Sequence, residues 1–178
     1  GCRAVIVMPA TTPEVKVRAV RTLGADVVLH GETYDECSAE AKRRCAAEGF
    51  TFIHPFDDPE VIAGQGTIGL EVMRQSPQRP DVIYLAVGGG GLIGGVAAYV
   101  KSLWPDVEIV GVEPIDADAM TQSLEAGKRI ELAQVGLFAD GCAVAQVGKE
   151  TFRVIRDTMD EVITASADEM CAAIKDIF

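Results

Sequence analysis

The chain has 178 residues, 48% of them hydrophobic, and its 27 acidic and 16 basic side chains give a net charge of −11. This length suffices for one globular domain or for two small lobes with real cores. The acidic balance, without a stripe of Lys and Arg, argues against a nucleic-acid ligand. No apolar stretch approaches the roughly 20 residues of a membrane-spanning helix, and the first residues do not resemble a signal peptide, so we expect a cytoplasmic protein.

The cysteines and histidines do not form a pattern typical of a metal site. The two histidines, His30 and His54, have no second ligand at metal-site spacing. The five cysteines are scattered without a CxxC pair, and they are Cys2, Cys37, Cys45, Cys142 and Cys171. We therefore expect reduced, mostly buried thiols and no metal.

The first third of the chain alternates predicted strands and helices. Apolar runs predict three short strands, at residues 4–8, 27–29 and 50–53. Thr12 is the predicted cap of the first helix, with Pro13 at its first position. Thr33 and Glu36 have the spacing of a capping box for a second helix, which runs to about Ala47. Such short alternation predicts a parallel sheet with helical crossovers.

A second stretch opens with Asp58 as the cap and Pro59 at the first position of a helix. This helix has Gly64, Gly66 and Gly69 along one side, which favours a close helix crossing slightly over a ligand contact. Further strands and helices follow in alternation, with strands at 81–87, 107–112 and 162–164 and helices at 92–104, 117–126, 149–160 and 166–178.

Four consecutive glycines separate the strand at 81–87 from the helix that follows it. Residues without a Cβ allow the backbone to turn through positive φ and bring its N–H groups close to a ligand. The N-terminus of the helix adds a partial positive charge, so no cationic side chain is needed. We predict that a phosphate binds here, at Gly88, Gly89, Gly90, Gly91 and Leu92. The structural alternative is a flexible turn or a close contact between helix and strand.

Both ends of the chain leave apolar surface without a visible partner. The chain starts without a methionine at a predicted core strand and ends at Phe178, in a helix with an apolar face. Bare strand edges and helix faces favour association. We expect an internal piece of a longer protein, folded as two abutting lobes.

Several segments together resemble the pyridoxal-phosphate enzymes of the tryptophan synthase β-like family, most closely the threonine ammonia-lyases (threonine dehydratases). They are VIVMPATTPEVKVRAVRTLGADVVLHG, HPFDDPEVIAGQGTIGLEV, VGGGGLIGGVA, VGVEP and VGLFADGCAV followed by ETFRV. The resemblance covers nearly the whole chain, and DPEVIAGQGT and VGGGGL are specific in combination. The VGLFADGCAV segment favours the biosynthetic threonine enzymes over the serine racemases.

The resemblance implies an α/β fold with parallel sheets and helical crossovers in two lobes, incomplete at both ends. Residues 1–57 would form part of the small lobe, and residues 58–178 part of the large cofactor-binding lobe. The glycine loop at 88–92 would hold the phosphate of pyridoxal 5'-phosphate. The family's Schiff-base lysine lies in an upstream motif that this chain lacks. We therefore assign no catalytic residue within it.

The activity implied is the deamination of L-threonine to 2-oxobutanoate and ammonia, in isoleucine biosynthesis, by an intact protein that forms a homo-oligomer. Serine dehydration or racemisation is the alternative, because threonine and serine differ by one methyl group. A non-catalytic phosphate-binding remnant is a further alternative. A Rossmann-like nucleotide module is disfavoured because the loop lacks the G-x-G-x-x-G spacing with its ribose-binding acid.

Two further residues have two interpretations each. Glu113, at the end of a predicted strand, either faces the cofactor pocket or lies near a helix N-terminus. In the related serine racemases a divalent ion binds near the corresponding segment, but Ala119 stands where a further carboxylate is expected, so we predict no metal site. Gly141 is either a turn glycine or part of a stretch that passes close to the cofactor.

Overall fold

The computed structural model describes residues 2–136 and 138–178. The chain divides into two compact units, Gly1–Ile53 and His54–Phe178. Within these ranges the five strands are β1 Val5–Met8, β2 Asp26–Leu29, β3 Val82–Ala86, β4 Glu108–Pro114 and β5 Glu161–Ala165. The seven helices of the described residues are α1 Glu14–Thr22, α2 Tyr34–Glu48, α3 Pro59–Gln75, α4 Gly91–Leu103, α5 Ala119–Ala126, α6 Lys149–Thr158 and α7 Ala167–Ile177.

The first unit contains a two-stranded parallel sheet, in which β1 pairs with β2. The predicted capping box of α2 is confirmed, because Thr33 and Glu36 each accept a hydrogen bond from the other's backbone N–H. Gly49 ends this helix in a left-handed conformation with φ of 72°. Local sequence signals therefore define both ends of α2.

Two predictions for the first unit are wrong. Pro13, with an extended ψ of 135°, is itself the N-cap of α1, and no side chain caps this helix, so Thr12 is not the cap. Residues 50–53 form no strand, and 67% of Ile53 is exposed. An apolar run becomes a strand only where a neighbouring strand satisfies its backbone, and no described residue pairs with this segment.

The second unit is built on a three-stranded sheet in the order β3-β4-β5, with all strands parallel. Helices connect the strands, so the predicted α/β fold with helical crossovers is confirmed. The core lies mainly between the sheet and α4, and its fully buried members are Val87, Ile93, Val96, Ala97, Val100, Val107, Ile109, Ala119, Met120 and Ile155.

Helices α3 and α4 cross with backbone nearly touching backbone. A Cβ added to Gly66 would lie 3.2 Å from the carbonyl oxygen of Gly95. A Cβ added to Gly95 would collide with the carbonyl oxygen of Ile62. A Cβ added to Gly69 would lie 3.2 Å from the side chain of Val100 and 3.4 Å from the carbonyl oxygen of Val96. The predicted close helix crossing is therefore confirmed for Gly66 and Gly69.

None of the helices in the described part of the chain is both long enough and apolar enough to cross a lipid bilayer.

Candidate functional site

The glycine loop, residues 88–92, lies at the carboxyl end of β3 and leads directly into α4. Gly90 is the N-cap of α4 and has a left-handed conformation with φ of 93°. Because glycine has no Cβ, it adopts this conformation without steric cost. No side chain caps the helix, so the first turn of α4 keeps its donors free of a local acceptor.

The N–H groups of the glycine loop form an unpaired row of donors. In the described part of the chain, no oxygen accepts a hydrogen bond from the backbone N–H groups of residues 88–92. The partial positive charge at the start of α4 lies at the same place. Unpaired N–H groups at a helix N-terminus are the elements of an anion site.

Packing by itself accounts for the residue type at Gly88, Gly89 and Gly91, whereas Gly90 also has a positive φ. A Cβ on Gly89 would enter the ring of Phe56, and one on Gly91 would lie 3.0 Å from the Cβ of Phe56. A Cβ on Gly88 would lie 2.9 Å from the Cα of Cys142. The close-contact alternative is thus correct for the side of the loop that packs against protein. The unpaired N–H groups, and not the glycines as such, indicate a ligand.

Two donors at the start of α6 bind the carbonyl of Gly89. Its oxygen accepts a hydrogen bond from Thr151 Oγ1 at 2.7 Å and another from the N–H of Gly148 at 3.2 Å. Thr151 has no exposed surface. A buried side chain and the N-cap of α6 therefore fix one peptide group of the loop.

Asp57 caps α6 from a distant part of the sequence. Its carboxylate accepts from the N–H groups of Lys149 at 2.9 Å and Glu150 at 2.7 Å, with a longer bond from Thr151 at 3.3 Å. The N-cap of α6, Gly148, has no side chain that could do this. A carboxylate at these donors is the arrangement that a helix N-terminus favours.

Neither Asp57 nor Thr151 was predicted from the sequence as a residue of this site. Two sequence features could have indicated Asp57. The first is the pair of acids before Pro59, of which Asp58 caps α3 as predicted. The second is the glycine at the start of α6, which indicates that the cap of this helix comes from elsewhere.

Glu113 is fully buried and caps α5. Its carboxylate accepts from the N–H groups of Met120 at 2.8 Å and Thr121 at 2.9 Å, and from the hydroxyl of Thr121 at 2.8 Å. Burial raises the pKa of Glu113 above 4.5, and these hydrogen bonds oppose the rise. The interpretation as a carboxylate at a helix N-terminus is therefore correct.

Glu113 also borders a small cavity at the carboxyl ends of β3 and β4. The cavity has a volume of about 170 Å³, and Cys142 and Met170 contribute to its lining. Burial raises the pKa of the Cys142 thiol, and the charge of Glu113 adds to the rise. Among the described residues, no three His, Cys, Asp or Glu side chains are grouped to hold a metal ion.

Gly141 belongs to a turn beside the glycine loop. The N–H of Cys142 donates to the carbonyl of Ala139 at 2.8 Å, which is the hydrogen bond of a tight turn. The next residue along, Cys142, is the one whose Cα abuts Gly88. Gly141 therefore lies in a turn, and this turn packs against the glycine loop through Cys142.

The sequence pattern of a known family matches residues 1–178, and that family is described as "Pyridoxal-phosphate dependent enzyme". The chain belongs to the family of pyridoxal-phosphate dependent enzymes. The resemblance inferred from the motifs is therefore confirmed.

Curated members of the pyridoxal-phosphate dependent family include close relatives. The chain is 58% identical over 178 residues to a chloroplastic biosynthetic threonine dehydratase of Arabidopsis thaliana, covering 100% of this chain and 30% of the relative. It is 46% identical over 178 residues to the biosynthetic L-threonine dehydratase of Escherichia coli K12, covering 100% of this chain and 34% of the relative. The chain thus spans about a third of the length of these curated relatives.

Solved structures of the pyridoxal-phosphate dependent family share the fold. The processed threonine deaminase isoform 2 of Solanum lycopersicum is 49% identical, with a TM-score of 0.92 over 99% of this chain and 51% of that one. Maize serine racemase is 36% identical, with a TM-score of 0.91 over 98% of this chain and 53% of that one.

Proposed function

We propose that the protein containing this chain is a pyridoxal-phosphate dependent threonine ammonia-lyase, which converts L-threonine to 2-oxobutanoate and ammonia. Identity of 58% with a threonine dehydratase, extending over the full 178 residues, carries the proposal. The word "biosynthetic" in the names of several relatives supports a role in isoleucine biosynthesis.

The glycine loop is the proposed holder of the cofactor phosphate, through Gly88, Gly89, Gly90, Gly91 and Leu92. The residues fit this group, because a phosphate accepts several hydrogen bonds and the N–H groups of the loop have no acceptor among the described residues. No carboxylate belongs to the loop itself. The start of α4 adds positive potential without a cationic side chain.

Pyridoxal phosphate, when bound, supplies an electron sink for the charge left when an amino acid loses its α-proton. The residues of this chain would hold the cofactor in position. The loop binds the phosphate, and the packing of Phe56 and Cys142 against it keeps the loop in one conformation. We assign no catalytic residue within this chain, so the proton-transferring groups belong to the rest of the protein.

The test of the activity is a comparison of kcat/KM for L-threonine and L-serine with the full-length protein. The single methyl group that distinguishes the two amino acids is worth about 1–3 kcal/mol in a pocket, which corresponds to a preference of about 10- to 200-fold. We expect the preference to favour threonine. The second candidate, a serine dehydratase or serine racemase, has support from the 36% identity with maize serine racemase. A preference for serine would establish it instead.

Three further features of the intact protein are part of the proposal. Residues 1–57 belong to a small lobe and residues 58–178 to the large cofactor-binding lobe, and limited proteolysis with cleavage near residue 57 tests this division.

The protein is a homo-oligomer, and sedimentation measures its oligomeric state. It is cytoplasmic, which cell fractionation tests. The chloroplastic relative from Arabidopsis thaliana makes this last test informative.

A further inference from the structure

We propose that Thr151 and Asp57 are positioning residues that set the direction of the loop N–H groups toward the cofactor phosphate. This inference rests on the proposed function, because it concerns the same glycine loop. Neither residue belongs to the loop, and Asp57 lies 92 residues before Lys149, the first residue of the helix that it caps.

The peptide group between Gly89 and Gly90 gives the physical link. Its bond is trans, so its C=O and its N–H point in opposite directions. Thr151 Oγ1 and the N–H of Gly148 hold the C=O toward α6. The N–H of Gly90 is therefore directed away from α6. Because glycines have no side chains to anchor them, these two hydrogen bonds determine the orientation of the peptide plane.

Asp57 acts on the glycine loop indirectly, through the first turn of α6. The two donors that hold the Gly89 carbonyl belong to the N-terminal turn of α6, and the Asp57 carboxylate binds three N–H groups of that turn. Since Gly148 supplies no capping side chain, the turn depends on Asp57 for its geometry. A change at Asp57 thus reaches the loop through Thr151.

The segment that carries Asp57 also contacts the loop directly. His54 Nδ1 accepts hydrogen bonds from the N–H groups of Asp57 at 2.9 Å and Phe56 at 3.3 Å. Phe56 packs against Gly89 and Gly91. The turn that contains Phe56 and Asp57 therefore packs an aromatic ring against the loop and places a carboxylate at the start of α6. The same turn thus contacts both the loop and the helix.

The test compares the binding of pyridoxal 5'-phosphate with that of pyridoxal, which lacks the phosphate, by the full-length apoprotein. Thr151→Val keeps the shape of the side chain and removes its O–H donor. We expect affinity for pyridoxal phosphate to fall by about 3- to 10-fold, the equivalent of one hydrogen bond. Affinity for pyridoxal stays unchanged. Thr151→Ser restores the hydroxyl and the affinity, and the ³¹P resonance of the bound phosphate shifts only in the valine variant.

Asp57→Ala tests the same link from its other end, because alanine removes the acceptor that caps α6, and it covers the case in which Thr151→Val does not fold. Its matched control is Asp58→Ala, because Asp58 caps α3 through Glu60 at 2.8 Å and has no bond to α6. We expect Asp57→Ala alone to reduce the preference for pyridoxal phosphate over pyridoxal. Equal loss for both ligands, or no loss, would overturn the inference while the proposed function stands. A wild-type protein that does not prefer the phosphorylated ligand would overturn both.

Discussion

Gly90 combines three constraints in one residue of the loop. It has a positive φ of 93°, it is the N-cap of α4, and a Cβ added to it would lie 2.9 Å from both Met120 Cε and Thr151 Cβ. The first constraint is conformational and the second depends on helix geometry, whereas the third is packing. A matched pair of substitutions can separate the conformational cost from the packing cost.

Gly90→Ala is expected to destabilise the protein by about 2–5 kcal/mol. The left-handed conformation costs a residue with a Cβ about 1–2 kcal/mol, and overpacking adds about 1–3 kcal/mol. Gly127 is the control, because its φ is 63° and nothing lies within 4 Å of an added Cβ. Gly127→Ala should lose only the conformational part, about 1–2 kcal/mol. Urea unfolding of both variants provides the comparison, and equal losses would show that packing around Gly90 is unimportant.

The caps of the helices show which contacts a sequence pattern predicts and which it does not. The cap of α2 comes from Thr33 and Glu36, three positions apart, so their spacing predicted it. The cap of α7, Ser166 with Glu169, has the same local spacing. The cap of α6 comes from Asp57, which no local spacing connects to that helix. The position of the glycine loop after a strand was likewise a local signal. Its support from α6 is a tertiary contact that only the fold creates.

The α3–α4 crossing predicts opposite effects for two glycines. A Cβ on Gly95 would meet the α3 backbone at the carbonyl of Ile62 and at 2.8 Å from Gly66 N, so Gly95→Ala should cost about 2–3 kcal/mol through overpacking. Gly64 has nothing within 4 Å of an added Cβ, so Gly64→Ala should stabilise α3 by up to about 1 kcal/mol. Hydrogen exchange of the α3 amides measures both. Faster exchange in Gly64→Ala would contradict this account.

Glu40 gives α2 a pH-dependent contribution to stability. Hydrogen bonds from Arg43 at 2.6 Å and Arg44 at 2.8 Å lower the pKa of Glu40 from 4.5 to about 2. Because the pKa is lower in the folded state, the contribution is complete above pH 4.5 and is lost as the pH falls through about 2. The stability difference between wild type and Glu40→Gln should therefore shrink from pH 7 to pH 3 in urea unfolding. A difference that does not change with pH would contradict the assignment.

At the scale of the whole molecule, the chain and its proposed ligand carry charges of the same sign. The chain has a net charge of −11, and its proposed ligand is an anion. The charge of this chain therefore repels the proposed ligand at long range, so the attraction within the chain comes from short-range contacts. The amino-acid composition predicts the negative charge directly. The sequence pattern does not predict that the first sheet contains only β1 and β2, because the apolar run at 50–53 has the same pattern as a true strand.

Association of pyridoxal phosphate with the apoprotein should become faster with added salt. Raising the ionic strength from about 0.01 M to about 0.15 M shortens the Debye length from about 30 Å to about 8 Å, which screens the repulsion. Bonds to neutral N–H groups within the site are screened far less. Stopped-flow measurement of the association rate tests this expectation. A rate that decreases with salt would show that cationic side chains attract the ligand.

The N–H donors of the glycine loop are main-chain atoms, and this affects how the protein can diverge. Every residue except proline keeps its amide donor, so point mutation can hardly delete this contact. Mutations in the loop act instead through shape, because protein atoms fill the space behind each glycine. Selection for a different amino-acid substrate can therefore exchange side chains elsewhere in the protein and leave the proposed phosphate contacts unchanged.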